Sequence, residues 1–262
     1  MNSPAEVAKN YVNIGVGKIN LPVSKMLVLG MFAGAYIAFG AVASQVAPAT
    51  IESASVAKFV GALIFPVGLM LVLVAGSELF TGNCLLVIPV LEKKASIGGM
   101  LKSWFFVYIG NLIGSILVAL LVTYGHVLKL FDGKLAQAVV NTAVSKVSLS
   151  FGDAVIKGIL CNILVCLAVW CSFAASELAG KILALMLPVV VFVLCGYEHS
   201  VANMYFVPAG IFASGAYGIE AEGLNWGSFL LHNLLPVTLG NIIGGGLIVG
   251  CGYWFCYLRK KN

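Results

Sequence analysis

Long uninterrupted apolar runs dominate the chain. Six can be drawn, at about 26–48, 57–90, 102–124, 152–174, 182–213 and 228–257. Each is long enough to cross a hydrocarbon layer, which takes about 20 helical residues. None shows the polar alternation of a barrel strand, so the pattern predicts helices. The second and fifth runs are too long for one straight helix, and polar residues interrupt both. The first interruption is Gly76-Ser-Glu-Leu-Phe-Thr-Gly-Asn83, and the second, 120 positions later, is Gly196-Tyr-Glu-His-Ser-Val-Ala-Asn203. Polar groups at membrane depth are costly, and breaks there line a cavity or a pathway.

Composition agrees with the pattern. Of 262 residues, 61% are hydrophobic and 10% charged, and mean hydropathy is +1.04. Soluble domains are nearer half apolar and a quarter charged, so the chain is expected to be an integral membrane protein. With both termini in the cytoplasm, the inner segments hold Lys9, Lys18, Lys25, Lys93, Lys94, Lys102, Lys181, Arg259, Lys260 and Lys261. The outer ones hold Lys58, Lys129, Lys134, Lys146 and Lys157, a split of ten to five among the 15 basic residues. The positive-inside rule then favours a multi-pass protein of the inner (cytoplasmic) membrane with both ends inside. The net charge of +5 is mostly these flanks, so no nucleic-acid partner is expected. No signal peptide is visible. Residues 1–25 mix Val7, Tyr11, Val12 and Ile14 with Lys9 and Asn10 and read as an interfacial helix or a frayed tail. A single channel domain is expected over 26–258, with 259–262 as a cytoplasmic C-terminus. The seven cysteines form no C-x-x-C pair and read as reduced packing residues, without metal or cofactor.

The chain repeats itself. Gly110-Asn-Leu-Ile-Gly114 matches Gly240-Asn-Ile-Ile-Gly244, and Pro66 and Pro89 flank the first break as Pro188 and Pro208 flank the second. Three runs per half is an odd number, so the halves, about 26–124 and 152–257, must cross in opposite senses. That is an inverted repeat with a site near the midplane. Gly30 and Gly34 form a small face on the first run, and Gly110/Gly114, Gly240/Gly244 and Gly245/Gly246 are expected to allow close helix packing. The half-helices beginning near Asn83 and Asn203 would aim positive dipole ends at the midplane, which suits an anion. Glu78 and Glu198 oppose that unless satisfied, so they are expected to hydrogen-bond the interrupted backbone and, with Asn83 and Asn203, to hold the breaks open.

The break sequences, together with Cys161-Asn-Ile-Leu-Val-Cys-Leu-Ala-Val-Trp170 and Pro236-Val-Thr-Leu-Gly-Asn-Ile-Ile-Gly-Gly-Gly246, resemble the formate/nitrite transporter family from about Pro4 to Arg259. The resemblance implies an all-α fold of six transmembrane helices, an aquaporin-like inverted repeat of 3+3 with helices 2 and 5 broken, assembled as a homopentamer. It implies passage of small monovalent anions of weak acids, such as formate, nitrite or hydrosulfide. It also implies a pathway through Thr81, Lys146, Asn162 and His199, with apolar constrictions at Phe65, Leu69, Leu79, Phe80, Val165 and Phe192.

Physical chemistry gives these residues roles. Lys146, in an outer segment, would concentrate anions in a vestibule. Desolvating an ion costs several kcal/mol, and protonating a carboxylate of pKa near 4 at pH 7 costs about 4 kcal/mol. Proton-assisted passage is therefore credible, with His199 either supplying the proton or hydrogen-bonding the anion, and Thr81 and Asn162 as further donors. His126 and His232 lie in or near loops and read as ordinary. No catalytic constellation is legible, so no enzyme is expected. The alternative is an aquaporin-like channel for small neutral solutes, which would need neither Lys146 nor His199.

Overall fold

Serine, proline and glycine set where the helices begin and end. The structure, a computed structural model, describes residues 1–259, so residues 260–262 of the expected cytoplasmic C-terminus lie outside the described residues. Helix α1 (Pro4–Ile19) starts at a capping box, in which Ser3 and Glu6 satisfy each other's free backbone N–H groups, with proline in its first turn. There follow α2 (Val23–Val46), α3 (Ala54–Gly76), α4 (Phe80–Leu91) and α5 (Ile97–Tyr124). The second half comprises α6 (Lys134–Val147), α7 (Phe151–Ala174), α8 (Leu178–Leu194), α9 (Ser200–Tyr217) and α10 (Trp226–Tyr257). Ser96 and Ser150 cap α5 and α7 by accepting from Gly99 and Asp153 N–H. Among the described residues, α2, α3, α5, α7 and α10 are each long and apolar enough to cross a membrane, and α4 and α8 are shorter apolar helices.

The N-terminal segment is helical and docked. Val7 and Tyr11 are buried, the Tyr11 ring meets Phe173 edge-on at 5.8 Å, and Gly15 faces Pro89. Helix α1 thus closes over one end of the bundle, and α6 takes the corresponding place ahead of α7.

Glycines bring the long helices together. Helix α2 packs along α5, and α7 packs along α10. A Cβ on Gly30 would sit 2.9 Å from Val107 O and 3.1 Å from Gly110 Cα. One on Gly34 would overlap the Asn111 backbone, and Gly240 and Gly244 meet the backbone of α7 around Val155, Gly158 and Ile159. Contact this close leaves no room for a methyl group. Gly30→Ala is expected to destabilise the detergent-solubilised protein by about 1–3 kcal/mol, the usual cost of overpacking. An unchanged melting temperature would show that α2 and α5 slide apart freely.

Polarity is arranged inside out. Leu121, Leu183, Leu187 and Leu247 are more than 60% exposed, whereas Glu78, Asn83, Asn111, Asn162, Glu198, Asn203, Asn233 and Asn241 are buried. That distribution suits a protein solvated by lipid, with its polar groups turned inward.

Candidate functional site

The two breaks are built alike. Gly76, at φ +84°, ends α3, and Gly196, at φ +69°, follows the end of α8. Left-handed geometry, which glycine adopts without strain, lets the next residue turn back on the helix. Ser77 N–H donates to Val72 O and Tyr197 N–H to Phe192 O, each at 3.0 Å. The chain then runs extended. Glu78 N–H donates to Leu29 O and Glu198 N–H to Lys157 O, each at 3.2 Å. Leu79 (φ −109°, ψ 122°) and His199 (φ −108°, ψ 114°) are the equivalent residues that start α4 and α9.

Asparagines hold the breaks open. Asn111 Nδ2 donates to Gly30 O at 2.8 Å and Glu78 O at 2.9 Å, while its Oδ1 accepts from Phe80 N–H at 2.9 Å. Asn241 does the same in the other half, donating to Gly158 O (2.8 Å) and Glu198 O (3.0 Å) and accepting from Ser200 N–H (2.9 Å). Each asparagine thereby joins the last carbonyl before the half-helix to its first free N–H. The sequence pattern assigns that task to the glutamates, and the structure corrects it.

The glutamate side chains instead take a lysine each. Lys18 Nζ lies 2.8 and 2.9 Å from the two Glu78 oxygens, and Asn83 Nδ2 donates to Glu78 Oε2 at 2.8 Å. Lys146 Nζ lies 3.0 Å from both Glu198 oxygens, and Asn203 Nδ2 donates to Glu198 Oε2 at 2.6 Å. Asn83 and Asn203 thus brace the carboxylates five residues before them. In the sequence Lys18 reads only as a topological charge. The signal that could have found it is positional: Lys18 precedes Val23, and Lys146 precedes Phe151, by the same five residues. Asn233 escapes sequence reasoning as well. It accepts from Asn203 at 2.8 Å and donates to Lys146 O at 2.9 Å.

At the centre, His199 Nε2 and Thr81 Oγ1 are 2.8 Å apart, and both residues are buried. They come from opposite breaks and from non-equivalent positions. Ala202 N–H donates to His199 Nδ1 at 3.0 Å. A backbone N–H can only donate, so Nδ1 is bare and the ring proton lies on Nε2, pointing at Thr81. The imidazole also lies parallel to Phe192, with centroids 5.9 Å apart and planes 16° off. Asn162 departs from its expected role as a donor. Both its N–H groups are taken, by Thr81 O (3.2 Å) and Asn241 O (2.7 Å), and Oδ1 is left buried and without a partner among the described residues.

Two cavities flank the pair. One, of about 610 Å³, is lined by Lys146, Glu198, Phe65, Phe192, Phe206 and His199. The other, of about 30 Å³, is lined by Lys18, Asn83, Tyr11, Leu69, Leu79 and Phe173. Phe65 meets Phe192 edge-on at 5.7 Å, closing the floor of the larger cavity beside His199. Of the expected constriction residues, Phe65 and Phe192 line the large cavity, and Leu69 and Leu79 the small one. Phe80 packs away from both, against Trp104 and Tyr108, and Val165 is buried without lining either. The arrangement is a larger chamber of mixed lining and a small, mostly apolar pocket, separated by aromatic and aliphatic side chains, with one hydrogen-bonded pair between them.

Known proteins resemble this chain in sequence and in fold. The sequence profile described as "Formate/nitrite transporter" matches residues 5–255. The chain is 40% identical over 276 residues to the "Probable formate transporter" of Methanothermobacter thermautotrophicus, with 98% of each chain covered. It is 39% identical over 272 residues to the "Formate channel FocA" of Escherichia coli (strain K12), covering 99% of this chain and 95% of that one. A solved structure described as "Pentameric formate channel with formate bound" superposes with a TM-score of 0.81 at 35% identity, over 90% of this chain and 98% of the other. These relatives are transporters and channels, not enzymes. By profile, sequence and fold, the chain is a membrane protein that belongs to the formate/nitrite transporter family.

Proposed function

We propose that this protein is a channel for small monovalent anions of weak acids, with formate as its first substrate and nitrite and hydrosulfide as alternatives. The observation that carries the reading is the buried His199–Thr81 pair, 2.8 Å apart, with a lysine-lined chamber on either side. Its fold reads as six spans in an aquaporin-like inverted repeat, in which α3/α4 and α8/α9 are the broken helices. Helices α1 and α6 belong to the repeat, one at the head of each half. We place both termini in the cytoplasm of the inner membrane, the Lys18 chamber inside and the Lys146 chamber outside, and five copies in the assembly.

Passage follows from the chemistry of the chambers. An anion gathers in the outer chamber and meets the Phe65–Phe192 ring, where an ion would lose its water. Ion desolvation costs several kcal/mol, comparable to the roughly 4 kcal/mol needed to protonate formate at pH 7. The neutral acid therefore crosses the rings: formate takes a proton from the bulk pool through the outer chamber, His199, with its own proton held on Nε2, donates a hydrogen bond to it, and the acid returns that proton to solvent on the other side. The Ala202 N–H, by occupying Nδ1, leaves Nε2 as the nitrogen that faces Thr81.

Light-scattering flux in proteoliposomes tests the reading, comparing formate, nitrite, hydrosulfide, acetate, chloride and glycerol. Formate flux is expected to rise as pH falls from 7 to 5, by up to about tenfold per unit, because the neutral fraction of an acid grows by that factor above its pKa. His199→Asn retains an N-cap acceptor for Ala202 but is too short for Thr81. It is expected to assemble and to lose about tenfold in flux, the worth of one hydrogen bond of about 1.4 kcal/mol. Glycerol flux without anion flux would instead establish a neutral-solute channel.

A further inference from the structure

The larger chamber holds three lysines and one glutamate, and only one of those lysines is paired. Lys58, Lys146 and Lys157 line it together with Glu198. Lys146 grips both oxygens of Glu198 at 3.0 Å, so its charge is cancelled where it sits. Lys58 and Lys157 have no carboxylate within 4.0 Å among the described residues, where the ion pairs are Lys18–Glu78 and Lys146–Glu198. Asp153, one turn before Lys157 on α7, does not line the chamber, and its Oδ2 accepts from Ser150 Oγ at 2.7 Å. A Cβ on Gly196 would come 3.9 Å from Lys58 Nζ, which places that ammonium beside the break.

The charge count of the chamber is therefore three minus one, or +2, and the surplus lies on Lys58 and Lys157. Resting on the channel reading above, we propose that Lys58 and Lys157, rather than Lys146, are the residues that capture the permeating anion. Lys146 is the fixed counter-ion of the break. A chamber with low-dielectric walls and one sign of charge raises the local concentration of counter-ions, and the effect is screened by salt. Two lysines standing free of carboxylates, on different helices around one opening, meet that description. A lysine bound to a carboxylate does not.

The test is formate flux at low formate concentration, measured against ionic strength set with an impermeant gluconate salt. The parent, K58Q/K157Q, K58R/K157R and K146M/E198Q are compared after gel filtration confirms assembly. At 10 mM ionic strength K58Q/K157Q is expected to run about tenfold slower than the parent, converging within about twofold at 1 M, where the Debye length shrinks to about 3 Å. K58R/K157R keeps the parent's salt dependence because it keeps the charge, and K146M/E198Q keeps it because the net charge is unaltered. If the parent conducts formate but K58Q/K157Q retains the parent's salt dependence, or K146M/E198Q loses it, the inference is overturned. A parent without anion flux would overturn the channel reading itself.

Discussion

Asn111→Leu and Asn241→Leu are expected to be the most destabilising single substitutions around the pathway that remove no charge. Each leucine would fill the space but strand one carbonyl and one N–H, Glu78 O and Phe80 N in one half and Glu198 O and Ser200 N in the other, while Gly30 O and Gly158 O keep their helical partners. An unsatisfied buried polar group costs about 1–3 kcal/mol, so two of them cost at least about 2 kcal/mol. Water cannot repair the loss, since both asparagines are fully buried. In a chain of this size the melting temperature should fall by at least about 4 °C, and flux should collapse, because the start of each half-helix is what holds Thr81 and His199 in line. A leucine variant that melts with the parent and still conducts would show that helix packing alone positions the breaks.

The location of the breaks was legible and their bracing was not, for a physical reason. Polar residues inside apolar runs stand out by composition, and the matched Gly-x-Glu patterns expose both interruptions and their turns. Which group satisfies which is decided by packing between distant segments. Asn111 reaches Gly30 across 81 residues and Lys18 reaches Glu78 across 60, and no periodicity encodes either. Asn111 and Asn241 were hidden inside glycine motifs that read as helix contacts, which they also are. Lys18 was hidden because basic residues flanking a span ordinarily report topology. Asn162 changed role for the same reason: its residue type allows donation, but its neighbours had already taken both protons. The capture of Phe80 by Trp104 and Tyr108 likewise depends on which side of a four-residue turn faces the pathway.

Lys146→Met is expected to be far more harmful than Glu198→Gln, and the double substitution to be milder than Lys146→Met alone. Glu198 is 5% exposed, and removing its lysine leaves a carboxylate with asparagine contacts but no ammonium within 4.0 Å among the described residues. Breaking a buried pair in this way costs about 3–5 kcal/mol. Removing the carboxylate is gentler, because the freed Lys146 already lines a chamber of about 610 Å³ and turns into it. In K146M/E198Q neither charge remains, the new glutamine amide can still accept from Asn203, and the chamber's surplus of +2 stays on Lys58 and Lys157. The cycle should therefore show a coupling of at least about 1 kcal/mol in stability, with flux recovering above that of K146M. Additive effects of the two substitutions would mean that Glu198 is satisfied by Asn203 and Asn233 alone. Lys18→Met should be the weaker counterpart: the Lys18 side chain is 22% exposed against 13% for Lys146, and Glu78 then faces a chamber that α1 closes only by packing. Lys18 and Lys146 each lie near the end of a helix that runs into a long span within a few residues, so the asymmetry is one of exposure: the more solvated pair loses less when its lysine goes.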